Sequence, residues 1–251
     1  MMEQITSRQN TLLTRLVRLQ NSKKYRQEQG LFVGDGTKLL EEAIRWAPEQ
    51  LRAVVLQEGV ECPRLPEHVR TVQVPRQLMG QISQMEAPEG ALFLAELPER
   101  KEAVVTPGCL VLDGIQDPGN VGTILRTADA LDVPVIMTDG CCDPYNPKTV
   151  RATMGAAFRT PPGYLSRERL VRQCRETDIP LLATALSEQS EDVRHENLRA
   201  AAVVIGSEGR GVSPMLLEAS DGQLMIPMHP RCESLNASVA AAIVLWQMTG
   251  L

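Results

Sequence analysis

Aromatic side chains are scarce in this chain: three Phe, three Tyr and two Trp among 251 residues, 3% in all. So few flat rings argue against the extensive base stacking of single-strand nucleic-acid binders. Long apolar runs are missing too. No stretch reaches the roughly 18 consecutive apolar residues of a membrane-crossing helix, and no charged-then-apolar leader opens the chain, so no membrane span is expected and the cytoplasm is the expected location. Histidine is limited to His68, His195 and His229, and only His229 lies near a motif. The six cysteines at 62, 109, 141, 142, 174 and 232 show neither CxxC spacing nor histidine partners; no metal site is expected, and reduced thiols are the default. A dehydrogenase is disfavoured, because no strand leads into a GxGxxG turn with an acidic partner further on.

What is present suits a folded protein of two domains. Hydrophobic residues make up 43% of the chain, and 251 residues exceed the usual single-domain size. The net charge of −5 argues against indiscriminate nucleic-acid binding by the whole chain. Its distribution is uneven, however. Residues 1–26 carry six basic residues (Arg8, Arg15, Arg18, Lys23, Lys24, Arg26) against the single acid Glu3, a segment able to track phosphates or to form a solvated helix face.

Apolar periodicity places helices over 8–20, 36–46 and 76–85 and strands over 52–57, 70–74 and 91–95, making residues 1–97 a small α/β unit. A polar, proline-bearing connector covers 98–106. Beyond it, in residues 107–251, strands near 110, 134, 181, 203 and 224 alternate with helices, which favours a mainly parallel sheet covered on both faces.

Three polar blocks interrupt this second half. Leu110-Val111-Leu112-Asp113 reads as a buried strand and leads through Asp117-Pro118-Gly119-Asn120 into a helix whose packed stripe is Val121, Ile124, Leu125, Ala128 and Leu131. Asn120 is placed to cap that helix. Arg126 lies about 140° round from Val121 at about 100° per residue, pointing away from the stripe. Ala202-Val203-Val204-Ile205 runs into Gly206-Ser207-Glu208-Gly209-Arg210-Gly211, whose glycines let backbone approach a ligand, and Ser213-Pro214 then starts a helix as N-cap and first residue. Leu224-Met225-Ile226-Pro227-Met228 is strand-like; Ser234 and Asn236 follow at the start of a helix with the apolar stripe Val239, Ala242, Ile243 and Trp246, the Trp expected in the core. Each block sits where a strand gives way to a helix, the usual ligand-binding position of α/β proteins.

In order and separation, Asn120-x-Gly122-x-x-x-Arg126, Gly206-Ser207-Glu208-Gly209 and Ile226-Pro227-Met228 with Ser234-Leu235-Asn236-x-Ser238-Val239-Ala240 resemble the three motifs of the SpoU-type tRNA/rRNA 2′-O-ribose methyltransferases of the SPOUT class. Lys148-x-Val150-Arg151-Ala152-x-Met154-Gly155-Ala156-x-Phe158 resembles the segment between the first two motifs. Ile5-Thr6-Ser7 with Asn10, Lys23-Lys24-Tyr25-Arg26, Gly30-x-Phe32 and Gly36 resemble the N-terminal substrate-binding domain of many members, with Asp35 where the family usually has glutamate.

The resemblance implies an α/β fold: a SPOUT domain with a parallel sheet and trefoil knot, joined to a small ribosomal-protein-like substrate-binding domain. It implies a homodimer that transfers a methyl group from S-adenosylmethionine to a ribose 2′-hydroxyl of structured RNA, rRNA before tRNA, without a metal. Asn120, Arg126, Glu208, Ser234 and Asn236 match the catalytic positions, and Thr184, Gly206, Ile226, Met228 and Leu235 the cofactor positions. Arg8, Arg15, Lys23, Lys24 and Arg26 are the expected RNA contacts. A guanidinium stays protonated, so Arg126 is expected to clamp a phosphate and steady the developing alkoxide, with Asn120 orienting it and Glu208 pairing with it or helping remove the proton. The rival is a catalytically silent RNA-binding or ribosome-assembly factor of the same fold.

Overall fold

In the computed structural model, which describes residues 2–99 and 102–249, capping side chains and glycines mark the ends of many elements. β1 (Glu3–Gln4) precedes α1 (Thr11–Asn21), which begins where the Asn10 side chain accepts the Leu12 amide. α2 (Lys23–Gln29) is capped by Ser22 and stopped by Gly30 at φ 62°, a left-handed conformation that glycine adopts without strain. β2 (Leu31–Asp35), α3 (Thr37–Trp46), β3 (Leu51–Gln57), β4 (Arg70–Val74), α4 (Arg76–Ile82) and β5 (Ala91–Glu96) follow. Next come β6 (Cys109–Asp113), α5 (Pro118–Ala130), β7 (Val135–Met137), α6 (Pro147–Ala152) and α7 (Ala156–Arg159). The chain closes with β8 (Gly163–Tyr164), α8 (Arg167–Glu176), β9 (Leu181–Thr184), β10 (Glu191–Asp192), β11 (Ala202–Gly206), α9 (Pro214–Ala219), β12 (Gly222–Met225) and α10 (Ala237–Thr249). Arg100 and Lys101 of the expected connector lie outside the described residues.

Two compact units result, Met1–Glu99 with Asp143–Arg159, and Arg100–Cys142 with Thr160–Leu251. The expected boundaries kept 143–159 with the second half; the structure groups this segment with the first. The physical reason is apolar burial. Phe32 and Phe93 of the first sheet leave a gap that Tyr145, Val150 and Phe158 fill, with Phe32–Tyr145 and Phe32–Phe158 ring centroids 5.0 and 5.8 Å apart. Burial of each such side chain is worth about 2 kcal/mol. That first sheet has the order β1-β4-β3-β5-β2, parallel from β1 to β3 and antiparallel at β5 and β2. All of β2 is buried, although periodicity had not marked it as a strand, because Gly34 and Asp35 dilute its apolar pattern.

The second unit is built on a seven-stranded sheet in the order β10-β12-β9-β11-β6-β7-β8, every pair parallel. Alternate residues of its central strands point to opposite faces. Leu110, Leu112, Val203 and Ile205 pack against Val121, Ile124, Leu125 and Ala128 of α5 and the buried side of α10, whereas Val111 and Val204 pack against Leu170 and Val171 of α8 and Leu216 of α9. The sheet is therefore covered on both faces, as alternation with helices predicts. In α10 the side chosen for burial is Ala237, Ala241, Val244, Leu245 and Met248. The stripe expected in the core is the outward one: Val239, Ile243 and Trp246 are 48, 38 and 55% exposed.

Candidate active site

Three loops at the carboxyl ends of β6, β11 and β12 carry the polar blocks, and the end of β9 adds Thr184 beside them. The first helix is capped by Asp117, not Asn120: the Asp117 side chain accepts the Asn120 amide at 2.9 Å with Pro118 in the first turn. This frees the Asn120 side chain to face its neighbours. Its Nδ2 donates to Glu208 Oε1 at 2.5 Å, and its Oδ1 accepts from Asn236 Nδ2 at 3.1 Å. Asn236 Oδ1 in turn accepts the Ser238 amide at 2.9 Å and the Val239 amide at 3.3 Å, capping α10.

The direction of this chain of bonds follows from its helical end. Backbone N–H groups can only donate, so Asn236 must present its oxygen to them and its nitrogen to Asn120. Asn120 must then present its nitrogen to Glu208, which has to be an acceptor. Three residues from three separate sequence blocks are thereby locked into one orientation.

Beside this chain lies a cavity of about 290 Å³. Thr184, Gly206, Ile226, Met228 and Leu235 all line it, together with Glu208 and Ser234. Its floor is apolar, from Ile205 and Leu224, and Leu186 stands at its edge; these linings were not singled out from the sequence, although they occupy β11, β12 and the residues just after β9, where a strand end would signal them. The Thr184 hydroxyl is already committed to Val204 O at 2.9 Å. By contrast, the backbone of Ile226, Met228 and Leu235 enters no hydrogen bond among the described residues, leaving amide and carbonyl groups for a bound molecule or water. An apolar floor with unused backbone groups suits a flat, heteroatom-rich organic ligand, and so fits the donor expected from the motifs.

A match to the SpoU rRNA methylase family spans residues 107–246, more than half of the chain. The chain belongs to the SpoU rRNA methylase family. Residues 10–92 match a second description, the MRM3-like substrate-binding domain. Among curated relatives, the 23S rRNA (guanosine(2553)-2′-O)-methyltransferase RlmP of Bacillus subtilis is 30% identical over 99% of this chain and 100% of its own. Among solved structures, an AdoMet-bound rRNA methyltransferase from Sinorhizobium meliloti is 26% identical with a TM-score of 0.84, covering 98% of this chain and 97% of that one. The SpoU methyltransferase AviRb from Streptomyces viridochromogenes, solved with AdoMet, is 25% identical with a TM-score of 0.82, over 96% of this chain and 98% of that one.

The remaining expected site residues of this SpoU chain fall into distinct environments. Arg126 is exposed on α5 and makes no hydrogen bond or ion pair among the described residues; Glu208 is bonded to Asn120, not to Arg126. Ser234 is exposed at the cavity rim. Of the basic residues, Arg8, Lys23 and Lys24 are exposed, and Arg15 is half-buried with Nη2 donating to Gln29 Oε1 at 2.9 Å. Arg26 requires correction. Its guanidinium is 3% exposed, ion-paired to Asp143 at 2.5 Å and donating to Leu19 O, so it is committed to the fold and unavailable to a phosphate.

His229 is exposed, away from the cavity lining. None of the six cysteines forms a disulfide, and burial pushes the thiols of Cys109 and Cys174 up to about 11 and about 12, far from nucleophilic thiolates. Among the described residues no group of three or more His, Cys, Asp or Glu gathers to hold a metal, and no helix is long and apolar enough to cross a membrane.

Proposed function

We propose that this protein transfers a methyl group from S-adenosylmethionine to a ribose 2′-hydroxyl of structured RNA, with ribosomal RNA the substrate before tRNA. The observation that carries the reading is the cavity lined by Thr184, Gly206, Ile226, Met228 and Leu235, with the Glu208–Asn120–Asn236 chain alongside it. AdoMet in the S. meliloti and AviRb structures and the rRNA 2′-O-specificity in the name of RlmP support it. When bound, the sulfonium donor supplies an already activated methyl group. The backbone of Ile226, Met228 and Leu235 would hold it, over the floor of Ile205 and Leu224.

The protein's own task is to align the hydroxyl and manage its proton. Glu208, oriented through Oε1 by Asn120, has its second oxygen without a hydrogen bond among the described residues and so able to take part in proton removal. Arg126 cannot serve as the base, since a guanidinium keeps its proton; uncommitted and exposed, it clamps the phosphate beside the target ribose and steadies negative charge on oxygen. Ser234 lies at the rim to contact the ribose. Ribose-methylation mapping of rRNA incubated with the protein and S-adenosylmethionine tests the function; donor uptake without any methylated ribose would favour the silent RNA-binding rival. For Arg126, single-turnover rates of Arg126→Lys decide: an unchanged rate would remove the need for a two-pronged guanidinium.

The same proposal includes a trefoil-knotted catalytic domain, a cytoplasmic location and a homodimer. For the dimer the support is physical. Val239, Ile243 and Trp246 leave an apolar face on α10, bordering a groove of about 650 Å³ that also includes Val193, Ile226 and Pro227. An exposed apolar patch of this kind is normally covered, and a second copy offers the self-complementary way to do it. Sedimentation velocity at micromolar concentration should give twice the 27.6 kDa chain mass; a monomer would refute it.

A further inference from the structure

Asp113 ends β6 with 2% of its surface exposed, and nothing in the site described so far uses it. Its Oδ1 accepts from the Thr138 hydroxyl and from Arg167 Nε, each at 2.7 Å, and its Oδ2 accepts the Ser213 amide at 2.7 Å. The three donors come from three places: the exit of β7, the first residue of α8 and the residue before α9. Asp113 is also the ladder partner of Gly206 where β6 pairs with β11. It therefore holds both ends of segment 206–213, Gly206 through the sheet and Ser213 through its carboxylate. Between those ends the chain turns back on itself, with Ser207 and Gly211 exchanging amide-to-carbonyl bonds of 3.0 and 2.9 Å. Glu208 stands inside that closed turn.

We propose that Asp113 is a positioning residue for methyl transfer: its carboxylate sets where the 206–211 turn stands, and through the turn the Glu208–Asn120 contact and the glycine-lined cavity wall. The chemistry in this proposal rests on the functional reading above; the geometry does not. A carboxylate is suited to the place because two oxygens can accept three donors. An asparagine would turn an N–H group toward either Ser213 or the Thr138–Arg167 side and leave a buried donor unmet.

Charge is also secured there. Burial pushes the Asp113 carboxyl up, but the Ser213 amide, the Thr138 hydroxyl and Arg167 more than offset this and hold it below the ordinary aspartate value. With a lowered folded-state value, its contribution is in place above the ordinary carboxylate range and is lost as pH falls through the lowered one.

The test is hydrogen–deuterium exchange of the full chain without added ligand, paired with calorimetric titration of S-adenosylmethionine. Asp113→Asn should speed amide exchange across 206–213 by about tenfold or more and weaken donor binding about tenfold, the scale of one buried charge-assisted hydrogen bond. Arg167→Gln, which keeps the Ser213 bond, should lower the melting temperature yet leave exchange in 206–213 within about twofold of wild type. Exchange in that segment unchanged by Asp113→Asn, or raised no more there than in the rest of the sheet, overturns the proposal. Should Asp113→Asn fail to fold, Ser213→Pro removes the amide together with the hydroxyl at a φ of −61° that proline accepts, Ser213→Ala removes the hydroxyl alone as its control, and the same local loosening is expected of the proline variant only. A wild-type protein that takes up no donor would defeat the functional reading, while the exchange comparison still decides the positioning role.

Discussion

Gly206, Gly209 and Gly211 share one turn but not one environment, and alanine at each separates shape from mere flexibility. A Cβ on Gly206 would stand 2.0 Å from the Gly211 carbonyl carbon and 2.0 Å from the Val212 nitrogen. Ordinary contacts lie near 3.5 Å, so the strand end and the returning chain would have to part by about 1.5 Å. The obstructing atoms are backbone, and no rotamer change relieves them. Overpacking of this kind costs about 1–3 kcal/mol, and a displacement of ~1 Å near reacting groups costs about 100-fold in rate. Gly206→Ala should therefore weaken S-adenosylmethionine binding at least about tenfold and cut the single-turnover methylation rate about 100-fold. At Gly209 a Cβ meets nothing within 4 Å and φ is not positive, so Gly209→Ala should behave like wild type. Gly211 has open space but φ 67°, where alanine carries a strain of about 1–2 kcal/mol and an intermediate loss is expected. Calorimetry and single-turnover kinetics on an rRNA fragment read all three. A Gly206→Ala protein that binds and methylates normally, or Gly209→Ala damage as large as Gly206→Ala, would refute the reasoning.

Removing one partner of the buried Arg26–Asp143 pair should be costly: Asp143→Ala is expected to destabilise the protein by about 3–5 kcal/mol in denaturant unfolding, and a midpoint within error of wild type would show the pair to be dispensable. Asp35 is buried with Oδ1 unpaired among the described residues, and burial pushes its carboxyl up against the weaker opposing pull of Ser83 and Arg151. A raised folded-state value makes wild type relatively more stable below the ordinary carboxylate range and less so as pH rises through the raised one. Asp35→Asn should thus melt higher than wild type at pH 7 and lose that advantage in acid; an advantage independent of pH would sink the argument. Lys23 and Lys24 are exposed on α2, and replacing both with alanine should reduce the slope of log affinity for RNA against log salt by about 0.7–0.9 per lost phosphate contact.

Elements with clean periods were legible: Arg70–Val74 is observed with the bounds that alternation gives it, and Thr37–Trp46 and Ala91–Glu96 differ by one residue, whereas β1, α2 and β2 were not expected. Motif spacing identified which strand-end residues to watch, and the structure brings Asn120, Glu208 and Asn236 into one bonded chain. What stayed hidden depended on distant partners. Nothing near Arg26 in sequence announces Asp143, 117 positions away, so a buried arginine looked like part of a solvated basic segment. In α10 small and apolar residues occupy nearly the whole circumference, and periodicity could not tell which side the sheet would claim; it pointed to Trp246 although Ala241 and Val244 were taken. Asp117 and Asn120 are both good caps, and only the proline between them, fitted to a first helical turn, places the boundary before Asn120.

The segment Asp143–Arg159 leaves the second unit between β7 and β8 and supplies Tyr145, Val150 and Phe158 to the core of the first. The polypeptide thus changes unit three times, near 99, 142 and 159. A protease nick in the connector at 98–106 would yield fragments that stay non-covalently joined, since one holds wall residues of the other's interior. Transplanting the first unit onto a foreign enzyme as a simple N-terminal fusion would strip Phe32 and Phe93 of their cover; a working chimera has to carry the returning stretch as a second, separate splice.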